Sequence, residues 1–239
     1  LDVYLDWYDI EIENTIAAPT AQFLLTDCYV NSTLSSCALI TRNPASGDIL
    51  DMLALAANNG TLTQEGYDVT FDYRFDTSYG KFRVNWASTY ISEYITEIPL
   101  GSGPLSVVGN YFQFFPVWRL KSNIDLNWQH GDWGATFGAR YLSALDESCT
   151  SAVLAGVPEV CSDPDGTPTF GGPENEIDDT WYFDIQGAWD TPWNGRITAG
   201  INNLFDEDPP ISYSAFANSF DPQYELPGRF WYASYTQKF

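Results

Sequence analysis

The sequence predicts an all-β protein, a transmembrane antiparallel β-barrel with long external loops and short periplasmic turns. Three observations lead to this fold class. Segments of about ten residues alternate between apolar and polar side chains, as strands with two different faces do. Aromatic residues make up 16% of the 239 residues and occur along the whole chain. Between successive segments of this kind, short connections alternate with long ones.

The overall composition limits the classes of function. The chain carries 32 acidic and 10 basic residues, a formal net charge of −22, which argues against nucleic-acid binding because that requires a basic surface. The sequence holds no run of about 18 apolar residues, so we expect no transmembrane helix. The chain starts at Leu1 without a methionine and with a strand pattern already under way. We therefore interpret it as part of a longer protein whose targeting segment lies outside these residues.

The first two predicted strands flank a long insertion. Strand one covers about Leu1–Ile16, with a bulge near residues 10–12 where the alternation changes face. The segment 51–57 is either a short helix or the start of the next strand. Strand two covers 61–76, and its alternation is regular. Its apolar face consists of Tyr67, Val69, Phe71, Tyr73 and Phe75.

The next three strands repeat the pattern of apolar and polar faces. Strand three covers 81–94, strand four 118–129 and strand five 133–141. Their apolar faces are Phe82, Val84, Trp86, Tyr90 and Tyr94 in strand three, Trp118, Leu120, Ile124, Leu126 and Trp128 in strand four, and Trp133, Ala135, Phe137, Ala139 and Tyr141 in strand five.

The last three strands complete a set of eight. Strand six covers 181–190 and strand seven 196–205. Strand eight covers 228–239, where Trp231, Ala233 and Tyr235 share a face and Phe239 ends the chain. An exposed two-faced aromatic edge of this kind invites aggregation in a soluble protein, whereas a closed barrel has no free edge.

Short and long connections between the predicted strands alternate along the chain. Tight turns are predicted at 76–80, 130–132 and 191–195, and long loops at 17–56, 98–116, 145–178 and 206–228. Outer-membrane barrels show this asymmetry, with the short turns on the periplasmic side. We therefore predict a location in the outer membrane of a Gram-negative bacterium.

The two faces of the strands also fit a barrel. Tryptophans at strand ends predict aromatic girdles at Trp86, Trp118, Trp128, Trp133, Trp181, Trp189 and Trp231. Trp118 and Trp128 lie ten residues apart and Trp181 and Trp189 eight residues apart, which at about 3.3 Å per residue and a tilt near 40° roughly matches the ~25 Å apolar band. The polar faces predict lumen-facing cations at Arg74, Lys81, Arg83, Arg119, Lys121, Arg140 and Arg196. The alternative is a soluble β-protein with a tryptophan-rich core, which would be released from membranes without detergent.

The four cysteines fall into two local pairs, each in a non-strand segment. Cys28 pairs with Cys37 and Cys149 with Cys161 if both segments form loop disulfides in an oxidising compartment such as the periplasm. A zinc site is the competing interpretation. The spacings of nine and twelve residues match no zinc pattern, and the chain has one histidine.

The C-terminal forty residues carry a specific motif. A strand ends in Asn202-Asn203-Leu204-Phe205-Asp206, a loop follows, and Pro227-Gly228-Arg229 precedes the closing strand with its terminal Phe239. This arrangement closely resembles the C-terminus of TonB-dependent outer-membrane receptors. Asn59 to Asp68 also resembles that family's Asn…Gly-Val-Asp/Glu segment, with Tyr67 at the usual aliphatic position. The resemblance extends over essentially the whole chain.

The resemblance implies a barrel of 22 strands with an N-terminal plug and a TonB box. Neither feature is found in these 239 residues, so the chain would be about the last eight strands, without the plug domain and the N-terminal strands. TonB would then act through the N-terminal part. The closing strand with Phe239 would be recognised by the barrel-assembly machinery, and the outer surface would contact lipid and lipopolysaccharide.

The sequence shows no catalytic constellation and predicts neither an enzyme nor a cofactor. His130 lies in a predicted turn without a partner nucleophile. Asp163-Pro-Asp-Gly166 resembles the start of a calcium loop but lacks the later glutamate, so a turn is the better interpretation.

The long loops are strongly acidic. Between Arg140 and Arg196 the chain has eleven acidic residues and no Lys or Arg. The acids serve either solubility and divalent-cation bridging to lipopolysaccharide, or recruitment of a cationic, metal-bearing or sugar-like ligand. Aromatic candidates for contact with such a ligand are Tyr213, Phe216, Phe220 and Tyr224.

The resemblance implies a receptor that binds a scarce nutrient and imports it into the periplasm. Its ligand would be a small molecule or an oligomer, such as an iron chelate, a cobalamin-like molecule or an oligosaccharide. The alternative is a passive porin, or a structural or adhesive barrel without energy coupling.

Overall fold

Long antiparallel strands dominate the computed structural model, which describes residues 1–97, 104–112, 115–165, 172–215 and 219–238. The strands are β1 (Asp2–Ala17), β2 (Ile40–Arg42), β3 (Ile49–Met52), β4 (Ala57–Thr77), β5 (Gly80–Glu97), β6 (Leu105–Ser106), β7 (Asn110–Phe112), β8 (Phe115–Val117), β9 (Leu120–His130), β10 (Trp133–Leu142), β11 (Leu145–Ser148), β12 (Glu174–Ile177), β13 (Thr180–Asp190), β14 (Gly195–Asn202) and β15 (Phe230–Gln237). The helices are α1 (Ala21–Tyr29), α2 (Leu34–Cys37) and α3 (Thr150–Leu154), with a 3₁₀ helix at Pro158–Val160.

Eight of these strands follow one another in a single sheet, in the order β1-β4-β5-β9-β10-β13-β14-β15. Each described pairing between successive long strands, from β5 to β15, is antiparallel. The sheet is open within this chain, with β1 and β15 at the ends of its path. The predicted number of eight barrel strands is therefore confirmed.

The predicted alternation of turns and long connections is also confirmed. β4 and β5 are joined through residues 78–79, β9 and β10 through 131–132, and β13 and β14 through 191–194. Gly131 takes φ +57° in its two-residue turn, and Gly80 takes φ +126° where β5 begins. Glycine tolerates such values because it has no Cβ.

The register places aromatic side chains beside one another on one face of the sheet. Trp133 pairs with Trp189, and their rings stack with centroids 5.7 Å apart. Tyr141 pairs with Trp181, with centroids 4.6 Å apart. These residues are exposed in the chain, Trp133 to 57% and Trp181 to 46%. Exposed aromatic pairs are typical of a lipid-facing strand surface, and contact of this face with lipid stays a prediction.

Four predicted element assignments differ from the structure in detail. For residues 51–57, predicted as a short helix or the start of the next strand, the structure has strand at both ends: β3 ends at Met52 and β4 begins at Ala57. The predicted loop 98–116 contains three short strands, β6, β7 and β8, of which β8 extends to Val117, and the predicted loop 145–178 contains β11, β12 and α3. Strand seven ends at Asn202 rather than Phe205, because Asn203 adopts φ +51° and leaves the extended conformation.

Strand four begins two residues later than predicted, which changes the surroundings of Trp118 and Arg119. β9 starts at Leu120. The alternation in the sequence continues through 118 and 119, but the backbone bends at Arg119, whose carbonyl still accepts a hydrogen bond from the Ile91 N–H of β5 at 2.9 Å. Trp118 is 2% exposed and lies in a buried cluster. Its assignment to a lipid-facing girdle is therefore wrong, whereas the lumen-facing position of Arg119 stays a prediction.

Two further predictions concern the ends of the sheet. β15 covers Phe230–Gln237, whereas Phe239 lies outside the described residues. The bulge predicted near residues 10–12 stays a prediction. The irregular backbone position in β1 is Asn14, with φ +58°.

The chain divides into two compact units. The first comprises residues 1–7, 66–91 and 108–239, and the second residues 8–65 and 92–107. In the second unit the Thr20 hydroxyl caps α1 by accepting a hydrogen bond from the Phe23 N–H at 3.1 Å. The Cys28–Cys37 disulfide links α1 to α2. A hydrogen bond from the Ser36 hydroxyl lowers the pKa of Asp27.

The first unit contains a second, smaller sheet of order β12-β11-β7-β8. Its hydrophobic core consists of Tyr111, Trp118, Leu145, Ile177, Tyr182, Ala215 and Tyr224. We call the described residues within 108–119, 143–179 and 206–225 the cap. The Cys149–Cys161 disulfide lies in it, with Cys149 fully buried, so both predicted disulfides are confirmed. No helix in the described part of the chain is long and apolar enough to span a membrane.

Candidate functional site

The polar face of the sheet carries two clefts in the first unit. The larger, of about 780 Å³, lies where β9, β10 and β13 meet the long connections, and we call it the Arg140 cleft. Its polar lining includes Asp68, Thr89, Lys121, Asn123, Arg140 and Glu225. The smaller, of about 500 Å³, lies toward the tight turns and is lined by Arg74, Lys81, Arg83 and Arg196 among others. We call it the Arg196 cleft.

Six of the seven predicted lumen cations therefore line these two clefts, and Arg119 lies before β9 instead. That this face is the lumen stays a prediction. Four of these cations, all arginines, form ion pairs with acids. Asp72, 8% exposed, binds Arg83 at 2.5 Å and Arg74 at 3.1 Å. Arg196 binds Asp190 at 3.3 Å.

Arg140 is the centre of the larger cleft. Its guanidinium pairs with Asp184 of β13 at 3.1 Å and with Glu225 of the cap. It also lies over the ring of Tyr182, 5.3 Å from the centroid. A single cation thus joins two neighbouring strands to the last long connection.

The family-like motif after β14 forms the corner that leads to β15. The Asn203 side chain bridges the backbone of Glu207, donating to its carbonyl and accepting from its N–H at 2.8 Å each. The Asn203 N–H donates to Asp184 at 2.9 Å. Asn203 is 1% exposed, so these partners satisfy polar groups that water does not reach.

The second half of the motif closes the same corner. The Arg229 N–H donates to Asp206 at 2.6 Å, and the Arg229 side chain donates to the Leu204 carbonyl at 2.9 Å. A Cβ at Gly228 would lie 2.7 Å from an Asp206 carboxylate oxygen, so Asp206 would have to move to accommodate it. Phe205 is 66% exposed and meets the Phe183 ring edge-on. The motif therefore forms a structural corner next to the Arg140 cleft, through the contact between Asn203 and Asp184.

The cap is fastened by the carboxylate of Glu147, which is fully buried. It accepts hydrogen bonds from the Ser212 hydroxyl and the Ser214 N–H at 2.7 Å each, and from the Tyr213 N–H at 3.0 Å. Asn175 donates a fourth, at 2.8 Å. Burial of a carboxylate destabilises the folded state unless hydrogen-bond donors surround it. The donors to Glu147 come from two different long connections.

A second buried carboxylate, Asp221, orders the segment that borders the cleft. It accepts from the Tyr111 hydroxyl and from the Gln223 N–H, each at 2.8 Å. Tyr224 then packs edge-on against Trp118, with centroids 5.5 Å apart. Burial raises the pKa of Tyr224 to about 12, and burial together with Asp221 raises the pKa of Tyr111 well above its usual range.

The four aromatic ligand candidates have different surroundings. Tyr224 is 4% exposed and belongs to the cap core, but it also lines the Arg140 cleft, so ligand contact by Tyr224 stays a prediction. Tyr213 packs against the Cys149–Cys161 cluster, and Phe220 is half-buried. Phe216 lies outside the described residues. Ligand contact by Tyr213 and Phe220 stays a prediction.

Strand alternation places the remaining tryptophans of the predicted girdles on the aromatic face of the sheet, although Trp128 also borders the Arg196 cleft. Trp133 and Trp189 stack near the tight turns, and Trp193, which the sequence analysis omitted, joins them and donates to Tyr235 at 3.0 Å. Trp181 lies near the long connections, and Trp231 is 68% exposed. Trp86 and Trp128 also follow the predicted alternation. Their contact with lipid stays a prediction.

Sequence comparison identifies the family. The family model described as "TonB dependent receptor-like, beta-barrel" matches residues 1–204. The chain belongs to the TonB-dependent receptor β-barrel family. It is accordingly part of an outer-membrane β-barrel of a Gram-negative bacterium. No curated protein matches the sequence.

Solved structures share the fold of this receptor segment. A mutant of the ferric enterobactin receptor PfeA from Pseudomonas aeruginosa, in complex with enterobactin, superposes with TM-score 0.60 at 14% identity, over 98% of this chain and 28% of the receptor. The FrpB iron transporter from Neisseria meningitidis gives TM-score 0.55 at 12% identity, over 98% and 28%. The copper transporter OprC gives 0.51 at 15%, over the same shares. The receptor segment thus spans about 28% of the structures it matches.

Sequence reasoning missed the carboxylates that organise the site. Glu147, Asp184 and Asp221 were counted only as loop or strand acids. The available signal for Asp184 was its position on the polar face of strand six, three residues after Trp181. Glu147 and Asp221 gave no local signal, because their partners are 65 and 110 residues away.

Proposed function

We propose that this chain supplies the C-terminal portion of an outer-membrane receptor that binds a scarce nutrient and imports it into the periplasm with energy from TonB. The observation that carries the proposal is membership of the TonB-dependent receptor family, with the match extending from residue 1 to 204. The ligand classes considered are an iron chelate, a cobalamin-like molecule and an oligosaccharide. Structural neighbours named as iron, copper and siderophore receptors support uptake as the general activity.

The geometry supports a ligand path along the polar face. The Arg140 cleft is bordered by a folded cap, and the Arg196 cleft continues on the same face toward the tight turns. Ion pairs hold the cations of both clefts in place. A polar lumen of this kind is typical of wide barrels that hold water or a plug.

The proposal includes four kinds of partner. TonB acts through an N-terminal part of the full protein. The barrel-assembly machinery recognises the closing strand, and lipid and lipopolysaccharide surround the aromatic face. The fourth partner is the nutrient ligand itself.

The test is uptake in cells that carry or lack the full-length receptor. Radiolabelled ferric chelates, cobalamin and oligosaccharides are supplied at limiting concentration, with and without a functional tonB gene. We expect saturable uptake of one ligand class that requires both the receptor and TonB. Uptake that is linear in concentration and unaffected by loss of TonB would establish the passive porin instead.

A further inference from the structure

The ionised side chains that line the Arg140 cleft cancel in charge. Lys121 and Arg140 are opposed by Asp68 and Glu225. Asp184, which pairs with Arg140 at 3.1 Å, adds a further negative charge beside the lining. The cleft therefore offers no net positive charge to an anionic ligand.

Both cations of the cleft already have partners. Arg140 is shared between Asp184 and Glu225, and its guanidinium lies over the Tyr182 ring. The Lys121 ammonium lies 5.0 Å from the centroid of the Trp118 ring. An anion that binds Arg140 would have to displace Asp184 or Glu225, and a half-buried carboxylate that loses its cation is destabilised.

The approach to the cleft repels anions as well. The long connection from 143 to 179 carries nine acidic residues and no Lys or Arg, although one of the acids, Glu147, is buried. Exposed acids close to the cleft, such as Asp178 and Asp179, add to a negative potential over the external side. This potential lowers the local concentration of an anionic chelate and leaves that of an uncharged molecule unchanged.

The remaining polar groups of the cleft are uncharged and can both donate and accept. Asn123 and Gln223 are exposed carboxamides, each with two donors and an acceptor. Thr70 and Thr89 add hydroxyls, and the Thr89 hydroxyl donates to Asp68 at 2.6 Å. A ligand with many hydroxyl groups matches such a mixed surface, because each of its groups also donates and accepts.

From these observations we infer that the Arg140 cleft binds an uncharged, hydroxyl-rich ligand of the oligosaccharide class. The inference rests on the proposed function and narrows its ligand. Asn123 and Gln223 would contact the sugar hydroxyls. The Arg140–Glu225 pair would present a fixed donor and acceptor rather than a free charge.

The test is equilibrium binding to the purified full-length receptor, followed by tryptophan fluorescence and calorimetry. The probes are neutral glucan, xylan and mannan oligosaccharides and, for comparison, a negatively charged ferric tris-catecholate complex. We expect saturable binding of at least one oligosaccharide, with a Kd that changes by less than about twofold between low and high salt, because no ion pair forms with the ligand.

Two variants locate the site and test its charge. Asn123→Ala is expected to weaken oligosaccharide binding by roughly tenfold, through the loss of hydrogen bonds to the ligand. The matched control is Asn127→Ala on the same strand, whose side chain accepts from Thr136 in the Arg196 cleft and should leave the Kd within about twofold. Asp68→Asn is expected to change the Kd of a neutral ligand by no more than about twofold. The same variant should lower the Kd of an anionic ligand, because it removes a negative charge from the cleft.

The outcomes separate the inference from the function. Binding of the ferric complex alone, or of no oligosaccharide at all, overturns the inference, while TonB-dependent uptake of another ligand would still uphold the proposed function. Oligosaccharide binding that Asn123→Ala leaves unchanged removes the assignment to this cleft. Loss of every TonB-dependent uptake overturns the function itself.

Discussion

Asp184 accepts a hydrogen bond from the backbone N–H of Asn203 at 2.9 Å. A polar-face carboxylate of β13 therefore holds the residue at which β14 ends. Asp184 also binds Arg140, which in turn binds Glu225. Both ends of the last long connection, at Asn203 and at Glu225, are thus tied to the same pair of strands.

The first prediction concerns this link. Asp184→Ala leaves the buried Asn203 N–H without an acceptor and leaves Arg140 with a single carboxylate partner. We therefore expect the free energy of unfolding to fall by about 1–3 kcal/mol. Thermal unfolding of the full-length barrel in detergent measures it. The control is Asp190→Ala, whose partner Arg196 is half exposed, and which should cost less than about 0.5 kcal/mol. Equal effects of the two variants would contradict the role given to Asp184.

The second prediction concerns the fastening of the cap. Glu147→Gln turns one of two accepting oxygens into a donor that faces other donors, so about 1–3 kcal/mol of local stability should be lost. Hydrogen exchange of residues 212–215 should speed up while exchange of β10 and β13 stays unchanged. Glu159→Gln, at an exposed position of the 3₁₀ helix, serves as the control and should alter neither. Unchanged exchange at 212–215 would show that Glu147 does not hold the cap.

The third prediction tests the glycine of the corner before β15. Gly228→Ala places a Cβ 2.7 Å from Asp206, which must move and release the Arg229 N–H. We expect Gly228→Ala to lower the free energy of unfolding by about 1–3 kcal/mol. The folded fraction of the barrel, measured by its heat-modifiable migration in gels, should fall. Gly187→Ala is the matched control in β13, because its Cβ would meet nothing within 4 Å. A normal folded fraction for Gly228→Ala would argue against the corner.

The fourth prediction is a loss of cap stability in alkaline solution. The pKa of Tyr224 is about 12, against an ordinary value of 10.0, so the folded cap holds a proton that the unfolded cap releases. The contribution of the protonated Tyr224 to the stability of the cap is complete below pH 10 and is lost as the pH rises toward 12. Tyrosinate absorbance should reveal a late-titrating group that Tyr224→Phe removes. If Tyr224→Phe instead removes a group that titrates near 10, the side chain is not buried as described.

Much of the fold was predictable because strand alternation is a local property. The eight strands, the parity of their connections and the aromatic pairs such as Trp133 with Trp189 follow from period-2 patterns and turn residues. Trp118 shows the limit of that signal. Its place in the alternation predicted a lipid-facing side chain, but tertiary packing against Tyr224 bent the chain before β9.

The site was less predictable because its key contacts are distant in sequence. The Cys149–Cys161 disulfide was predictable from local spacing, whereas the Glu147–Ser212 bond joins residues that share no pattern. The same holds for Arg140, which the sequence places on the polar face without indicating that Asp184 and Glu225 neutralise it. The register of β10 and β13 brings Arg140 beside Asp184, and the folded last connection adds Glu225.

The central claim is that this sheet separates lipid from a polar lumen, and neighbouring positions in β10 test it most directly. The alternation of β10 places the Ala135 side chain on the aromatic face with Trp133 and Phe137, whereas the Thr136 side chain points to the opposite face and donates to Asn127. Single cysteines at the two positions can be labelled selectively, because the four native cysteines form disulfides. Each is given an environment-sensitive fluorophore in the full-length receptor in lipid vesicles. We predict that nitroxide-labelled lipid quenches the probe at 135 and not the probe at 136. Quenching at 136 alone, or equally at both positions, would contradict the account.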